Sequence, residues 1–434
     1  MKCQKIAALV LAAGSILNTL PAFAQETNVY EIKSKEDLFA LKEQESVGSV
    51  RLCADLDLSG MNAEQCLIPS LAGTFDGGGH TISNLKLAGG NGSYSWNSGI
   101  TYVNTGFIGI LTGTVTNLNL KDVTLISDNS KYNCIGAIAG TISGNSNARI
   151  DRCTVTGSLS VATGNGYTYI GAIAGYLSGS VDAPSALTVQ NCVTDVNITG
   201  CSSSYAGGIL GNSGYYGTLD LSNCAILGNL ANGTVCGIVG YAPSGDVNFH
   251  LNNSYYAGTL GDSKKKYMLT YNLRELSVLT CQNYLYDNDK NKATYSWESV
   301  YIINNKTSLE GVTGYSTADL MQKASEFDGF EIRPGEFNGY PVPKRAETAP
   351  DWGISFSGDN AVVSAAEDGT YYVIFAAYKG KTLKSAAMIK NTFTAGETTV
   401  TAPSAFVTDG ADTVRAMLLD SPETLHPLTP AATK

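Results

Sequence analysis

The stretches Gly136-Ala-Ile-Ala-Gly140 and Gly171-Ala-Ile-Ala-Gly175 decide the fold, because close variants of them return at regular distances along the chain. The other copies also carry Ile in third place and close on Gly: Gly106-Phe-Ile-Gly109, Gly207-Gly-Ile-Leu-Gly211 and Cys236-Gly-Ile-Val-Gly240. The closing glycines lie 31, 35, 36 and 29 residues apart. A period of this length indicates a solenoid with one structural unit per repeat.

Each repeat continues with short stretches in which apolar and polar residues alternate. Val155, Leu159 and Val161 place apolar side chains on one side of such a strand, and Gly, Asn and Ser between the strands supply corners. One coil of three short strands cannot bury its own inner face, so neighbouring coils must stack about 4.8 Å apart. The sequence therefore predicts an all-β chain whose main part is a right-handed parallel β-helix.

Three cysteines occupy one equivalent position in successive repeats. Cys153, Cys192 and Cys224 align there, with Leu118 in the preceding copy and Ser254 in the following one. Because unpaired cysteine is among the most buried residue types, we expect these side chains to stack inside the solenoid.

The remaining cysteine and histidine usage argues against metal and disulfide chemistry. Ten cysteines include Cys3 near the N-terminus, which leaves nine with no C-x-x-C pair among them. His80, His250 and His426 are far apart, and none lies at ligand spacing from a cysteine. We predict no metal site and no cofactor.

The first 24 residues have the pattern of a secretory signal peptide. Lys2 and Lys5 precede an apolar run over residues 6–17, and Ala22-Phe-Ala24 matches the small-x-small cleavage pattern. No later run is long and apolar enough for a membrane helix. The sequence therefore predicts a secreted, extracellular protein, associated with a cell surface only non-covalently, with no transmembrane segment.

The rest of the chain divides into two predicted units. Residues 25–344 form a capped parallel β-helix, with a short helix over Ser34–Glu43 suited to cover its open end. An acidic, Pro-containing linker follows at residues 345–353. Residues 354–434 contain short alternating runs broken by turn residues, which predicts a small antiparallel β-sandwich.

Composition limits the kinds of partner. Charged residues make up 15% of the chain against 47 glycines, the balance of a turn-rich β protein. The net charge of −10 and the pI near 4.9 disfavour non-specific attraction to nucleic acid or to anionic membranes.

The repeat region resembles the GLUG-repeat proteins, parallel β-helices of bacterial secreted and surface proteins that include regions preceding the catalytic part of IgA-protease-type metallopeptidases. The resemblance covers about residues 50–344 and is carried by the Gly-flanked copies and by Thr74-Phe-Asp-Gly-Gly-Gly-His-Thr-Ile-Ser-Asn-Leu85. Residues 316–322 and 337–342 also resemble the helix and closing strand that end such solenoids. The C-terminal unit resembles modules of secreted carbohydrate-active bacterial proteins, which implies attachment more than chemistry.

Enzyme chemistry has little support in the repeats, although polysaccharide lyases and hydrolases share this scaffold. Residues 100–262 contain twelve charged side chains and no Glu, whereas glycoside hydrolysis needs two facing carboxylates. Arg149, Asp151 and Arg152 form the best remaining cluster, which we interpret as an ion pair at a solvated corner. His80 and Asp76 are interpreted as hydrogen-bonding groups of a Gly-rich turn. No catalytic residue is predicted.

Tyrosines in or beside the polar loops are the candidate ligand-binding residues, because a flat ring with a hydroxyl can stack on sugars or anchor a protein. The first hypothesis is a non-catalytic binding protein or adhesin that recognises glycans or a cell-surface protein. The alternatives are a diverged polysaccharide-degrading lyase or hydrolase and a passive stalk, and about half of the tyrosines would pack over loop backbone in any case. The candidates are Tyr167, Tyr169, Tyr205, Tyr215, Tyr216, Tyr255 and Tyr256.

Overall fold

In a computed structural model of the chain, strands of successive repeats pair in parallel, and this pairing defines the architecture. The chain forms two units, Asn28–Ala346 and Glu347–Lys434. The structure describes residues 29–90, 93–95, 101–127, 132–161, 167–243, 246–263, 265–273, 277–291, 310–345, 353–365, 368–394, 396–419, 421, 428 and 431–434.

Three faces run the length of the first unit, and each is built from one strand segment per coil. Face B is β4 (Ile68–Leu71), β10 (Ile108–Leu111), β14 (Ala139–Ile142), β18 (Ala174–Leu177), β22 (Leu210–Asn212) and β27 (Val239–Tyr241). Face C is β8 (Ser93–Ser95), β9 (Thr101–Thr105), β13 (Tyr132–Gly136), β17 (Thr168–Gly171), β21 (Ser204–Gly207), β26 (Thr234–Cys236) and β29 (Lys265–Tyr267).

Face A is the longest and bends along each coil, so several of its strands come in two pieces. Its first part is β1 (Tyr30–Ile32), β2 (Val50–Leu52), β5 (Thr74–Asp76), β11 (Thr114–Thr116), β15 (Asn147–Asp151), β19 (Ser185–Gln190), β23 (Gly217–Ser222), β28 (Asn248–Tyr256) and β30 (Val278–Asp287). Its second part is β3 (Leu56–Asp57), β6 (Thr81–Ser83), β7 (Lys86–Ala88), β12 (Asn119–Ser127), β16 (Thr154–Val161), β20 (Val193–Thr199), β24 (Ala225–Ile226), β25 (Leu230–Ala231) and β31 (Val312–Tyr315).

The pairing within each face is parallel and in register from coil to coil. On face B, Ile108 pairs with Ala139, Ala139 with Ala174, Ala174 with Leu210 and Leu210 with Val239. The antiparallel strand β8 covers the first edge of face C. The stacked Gly-flanked copies confirm the predicted parallel β-helix.

One continuous apolar core fills the inside of the coils. The Ile in the third place of each Gly-flanked copy points into it: Ile108, Ile138, Ile173 and Ile209 are fully buried, and Ile238 is 2% exposed. Because each coil leaves its inner residues open at both ends, this core exists only through stacking.

A ladder of left-handed residues makes the bend within face A. Asn117, Asn191, Asn223 and Asn253 have φ of 53°, 52°, 50° and 41°, a region that Asn tolerates better than other side chains. Their amides bond along the stack, as in the 3.3 Å bond that Asn223 Nδ2 donates to Asn191 Oδ1. The ladder fixes the corner while satisfying its polar groups.

The cysteine stack lies directly after this ladder and is confirmed. Cys153, Cys192 and Cys224 are at most 1% exposed and lie in the solenoid core. Their thiols donate to backbone carbonyls of the same and the preceding coil, for example Cys192 Sγ to Gln190 O at 3.0 Å. None of the nine cysteines in the described residues forms a disulfide.

We expect the stacked thiols to resist modification in the folded protein. Burial raises the pKa of Cys153 and Cys192 well above the usual range, so the reactive thiolate is scarce at pH 8. Alkylation of Cys192 should be at least about tenfold slower than that of the half-buried Cys201, and denaturant should remove the difference. Mass spectrometry of labelled peptides measures this, and fast labelling of Cys192 before unfolding would contradict the buried stack.

A short helix covers the N-terminal end, as the sequence predicts. Helix α1 (Lys35–Ala40) continues as a 3-10 turn over Leu41–Glu43. Ser34 caps it: its hydroxyl accepts from Asp37 N at 3.2 Å, and Asp37 Oδ2 accepts from Ser34 N at 2.9 Å. Leu38 and Leu41 are fully buried in the solenoid core.

The C-terminal part of the solenoid packs sideways on the outer side of face A. Helix α2 (Asn288–Asn291) follows β30, helix α3 (Thr317–Ser325) begins at the N-cap Ser316, and β32 (Phe330–Glu331) pairs antiparallel with β33 (Val342–Pro343). Helix α3, β32 and β33 share a second apolar cluster with outward-facing residues of face A, including Tyr255 and Leu285.

The second unit consists of two antiparallel sheets with a common core. One sheet is β34 (Gly353–Ser357), β35 (Asn360–Ala365) and β38 (Gly396–Thr401), and the other is β36 (Gly369–Lys379), β37 (Thr382–Phe393), β39 (Thr413–Leu419) and β40 (Ala432–Thr433). Val363 of the first sheet and Phe375 and Leu418 of the second lie in the same cluster. This is the small β-sandwich that the alternating pattern predicts.

Candidate functional site

The corner between faces C and B is formed by the Gly-flanked copies. A Cβ placed on Gly175 would lie 2.4 Å from Ile135 N and 2.5 Å from Cys134 C, both in the backbone of the preceding coil. Gly211 and Gly240 meet the backbone of Tyr169 and Tyr205 in the same way. The glycines therefore allow the outer surfaces of the two faces to turn toward one another.

Tyrosines from both faces fill this corner, at fixed places in the repeat. Tyr102, Tyr132 and Tyr167 lie four residues before the first Gly of their copies, and Tyr169 and Tyr205 lie two before. Positions two apart on a strand point to the same side. Tyr176 and Tyr241 directly follow the closing Gly and project from face B.

The inner part of this tyrosine array is closed to solvent. Tyr102, Tyr169 and Tyr176 are 3%, 6% and 2% exposed and form a cluster with Cys134, separate from the solenoid core. The ring centroid of Tyr102 lies 6.0 Å from that of Tyr176 and 5.9 Å from that of Tyr169. These rings form a second apolar core outside the coils.

The outer part of the array is a row of partly exposed rings along the solenoid axis. Tyr167 is 50% exposed, and its centroid lies 6.1 Å from that of Tyr132 and 6.2 Å from that of Tyr205. Tyr205 in turn stacks on Tyr271 at 6.0 Å and contacts Tyr241 at 4.7 Å. Because each ring covers the face of the next, the row presents ring edges and hydroxyls to solvent.

The hydroxyls of Tyr102, Tyr169 and Tyr205 stay protonated at ordinary pH. Burial raises the pKa of Tyr102 and of Tyr205 to about 12. Burial also raises the pKa of Tyr169. A neutral phenol both donates and accepts a hydrogen bond, so the partly exposed Tyr205 can bind a hydroxyl or a carboxylate of a ligand at physiological pH.

The seven tyrosines predicted from the sequence lie in different surroundings in the structure. Tyr167, Tyr169 and Tyr205 belong to the array, and Tyr215 lies close enough to contribute to the raised pKa of Tyr102, where burial is the main cause. Tyr216 is half-buried on the turn that precedes β23.

Tyr255 and Tyr256, also predicted as binding residues, are both fully buried and do not reach the surface. The hydroxyl of Tyr255 donates to Pro341 O at 2.5 Å under the sideways-packed elements. Tyr256 points into the solenoid, where its hydroxyl donates to Thr259 O at 3.1 Å. Successive residues on a strand point to opposite sides. Tyr256 therefore points into the solenoid core, and Tyr255 points out from face A, where the C-terminal elements cover it.

The sequence interpretation missed further members of the array. These are Tyr102, Tyr132, Tyr176, Tyr241, Tyr267 and Tyr271. Their constant offset from the Gly-flanked copies was the available signal for four of them. Tyr267 and Tyr271 lie beyond the last copy, where no Gly pair marks the position.

The charged cluster at residues 149–152 belongs to the corner of face A. Asp151 is 3% exposed, with Oδ2 3.2 Å from Arg149 and 3.3 Å from Arg152, and its Oδ1 accepts from Asn191 Nδ2 at 2.9 Å. Only the arginines are exposed to solvent, so the prediction of a solvated pair is wrong for the carboxylate. Arg152, with φ of 51°, holds the ladder position of this coil, and Asp151 accepts a hydrogen bond from the ladder residue Asn191.

The Gly-rich turn is stabilised by its polar residues. Asp76 Oδ1 accepts from Gly78 N at 3.0 Å, the predicted Asx bond. His80 Nδ1 lies 3.2 Å from Asp55 Oδ1, which also accepts from Thr81 N at 2.8 Å. The imidazole thus ties the turn to the segment between β2 and β3.

The described residues contain neither a candidate metal site nor a candidate membrane-spanning helix. No group of three or more His, Cys, Asp or Glu side chains that could hold a metal ion occurs there. None of the helices in the described ranges is long and apolar enough to cross a membrane.

The fold and the site together define the class of protein: a parallel β-helix with a tyrosine array at the corner between faces B and C. No protein-family model matches the sequence, and no curated protein matches it. Among solved structures, the chain is similar to a Bacteroides ovatus protein described as a "putative immunoglobulin A1 protease", with 21% identity and a TM-score of 0.48 over 74% of this chain and 94% of that one. This degree of likeness carries no argument about activity.

Proposed function

We propose that the protein is a secreted, non-catalytic binding protein of the GLUG-repeat kind that recognises a glycan or a cell-surface partner through the tyrosine array. The observation that carries this proposal is the row Tyr132, Tyr167, Tyr205 and Tyr271, whose rings are contributed by different coils. Tyr is enriched in binding surfaces because it supplies a large rigid area with a polar tip.

The chemistry of the row favours a glycan as the ligand. Its ring faces are occupied by neighbouring rings, so a ligand meets edges and phenol hydroxyls. A sugar chain offers a hydroxyl or ring oxygen at each unit and can hydrogen-bond to several of them. The inner tyrosines hold the outer ones in place, which lowers the entropy cost of binding.

The proposal is tested by screening the purified protein against a glycan array and then measuring affinity for the strongest ligand. Tyr167→Ala should weaken binding at least about tenfold, since it removes a central ring. Tyr167→Phe removes one hydrogen bond and should weaken binding about two- to tenfold.

The matched control is Tyr372→Phe, in the other unit, which should leave affinity unchanged. Circular dichroism of each variant separates lost binding from lost structure. A passive stalk would bind no glycan at all. A glycan that binds the native protein and both Tyr167 variants with equal affinity would show that the array is not the binding site.

A further inference from the structure

A lysine lies at one end of the tyrosine array, on the same side of face C as the rings. Strand pairing places Tyr169 beside Tyr205, Tyr205 beside Thr234, and Thr234 beside Lys265. Residues paired in register along a parallel face project to the same side. Lys265 therefore extends the outward column to which Tyr169 and Tyr205 belong.

The ammonium group is held by the last ring of the row. Lys265 Nζ lies 3.4 Å from the hydroxyl oxygen of Tyr271 and 4.9 Å from the centroid of its ring. Tyr271 itself stacks on Tyr205. A cation over a ring face is favourable, so the charge is positioned at the end of the exposed row.

No carboxylate neutralises this charge within the described part of the chain. The ion pairs found there join other residues, and none places an acidic oxygen within 4.0 Å of Lys265 Nζ. Lys265 is also exposed. An exposed, positioned and uncompensated cation beside hydroxyl donors is complementary to a carboxylate ligand.

We infer that the array binds an acidic polysaccharide, a chain with uronic acid units, one carboxylate of which pairs with Lys265. The inference rests on the proposed glycan-binding function and specifies its ligand class. An extended chain fits better than a single terminal acidic sugar, because the row from β13 to β29 spans four strand spacings, about 19 Å in all. Phenol hydroxyls along the row supply donors to further sugar oxygens.

The test compares one polymer in two charge states. Affinity of the purified full chain is measured by calorimetry for oligogalacturonate and for the same oligosaccharide after reduction of its carboxyl groups to alcohols. The native protein should bind the acidic form at least about tenfold more tightly, and this preference should shrink with added salt.

Lys265→Gln should abolish the preference by weakening binding of the acidic form at least about tenfold, and Lys265→Arg should retain it. Lys390→Gln is the matched control, because Lys390 also lies over a tyrosine, 5.8 Å from the centroid of Tyr372, but in the other unit. Equal affinity for both polymers, or a preference that survives Lys265→Gln, overturns the inference and leaves the proposed function standing. Binding of a surface protein but of no glycan overturns the inference alone, and binding of neither overturns both.

Discussion

Replacing Gly175 by Ala is expected to lower the free energy of unfolding by about 3 kcal/mol or more. The added methyl group would lie 2.4 to 2.7 Å from Ile135 N, Cys134 C and Gly140 O. These are backbone atoms of the preceding coil, which cannot move aside without breaking the register of both faces. The shift of the denaturant midpoint measures the effect.

Gly48→Ala is the matched control for this substitution. No atom lies within 4 Å of the position of its Cβ, and its φ is not in the left-handed region. Alanine there should leave stability unchanged or raise it slightly by restricting the unfolded chain. Equal stability of both variants would show that the corner is looser than described.

Replacing Tyr255 by Ala should lower the free energy of unfolding by about 3 to 5 kcal/mol, because it removes a fully buried aromatic ring. The ring joins face A to the sideways-packed elements, with its centroid 6.3 Å from those of Phe330 and Tyr340. Amide hydrogen exchange should rise first in α3, β32 and β33. Tyr255→Phe, which loses only the bond to Pro341, should cost about 1 kcal/mol.

Tyr167→Ala supplies the contrast, since half of that side chain is exposed. We expect its effect on stability to be far below that of Tyr255→Ala while its effect on ligand binding is large. If Tyr255→Ala weakened binding and spared stability, the assignment of the two tyrosines would be reversed.

The fold could be predicted because the Gly-flanked copies combine a period with a steric requirement. Glycine at position 175 is imposed by backbone contacts that only stacked coils make, and Ile173 marks the buried side of the same turn. The cysteine position was likewise predictable, since Cys153, Cys192 and Cys224 keep one offset within the repeat. The helix and the strand at residues 316–322 and 337–342 were predicted from the sequence. Because they lie outside the repeats, the repeat pattern does not indicate which surface they cover.

The candidate site was only partly predictable for the same reason. Tyr167 and Tyr205 stand in polar surroundings in the sequence, which indicates exposure, and both are at the surface. Tyr255 has similar neighbours, yet residues about 86 positions later bury it. Tyr176 and Tyr241 were overlooked because their contacts join two faces of different coils, and only the geometry of the corner brings them together.

The tyrosine row can change in length during evolution through the gain or loss of whole repeats. Tyr132, Tyr167 and Tyr205 come from successive coils, and the glycines that open the corner belong to the same repeats. Duplication or loss of one complete repeat would therefore lengthen or shorten the row by one ring, and the coils on either side would still stack in register. The length of the tyrosine row would then be set by the number of repeats, independently of point substitutions within each repeat.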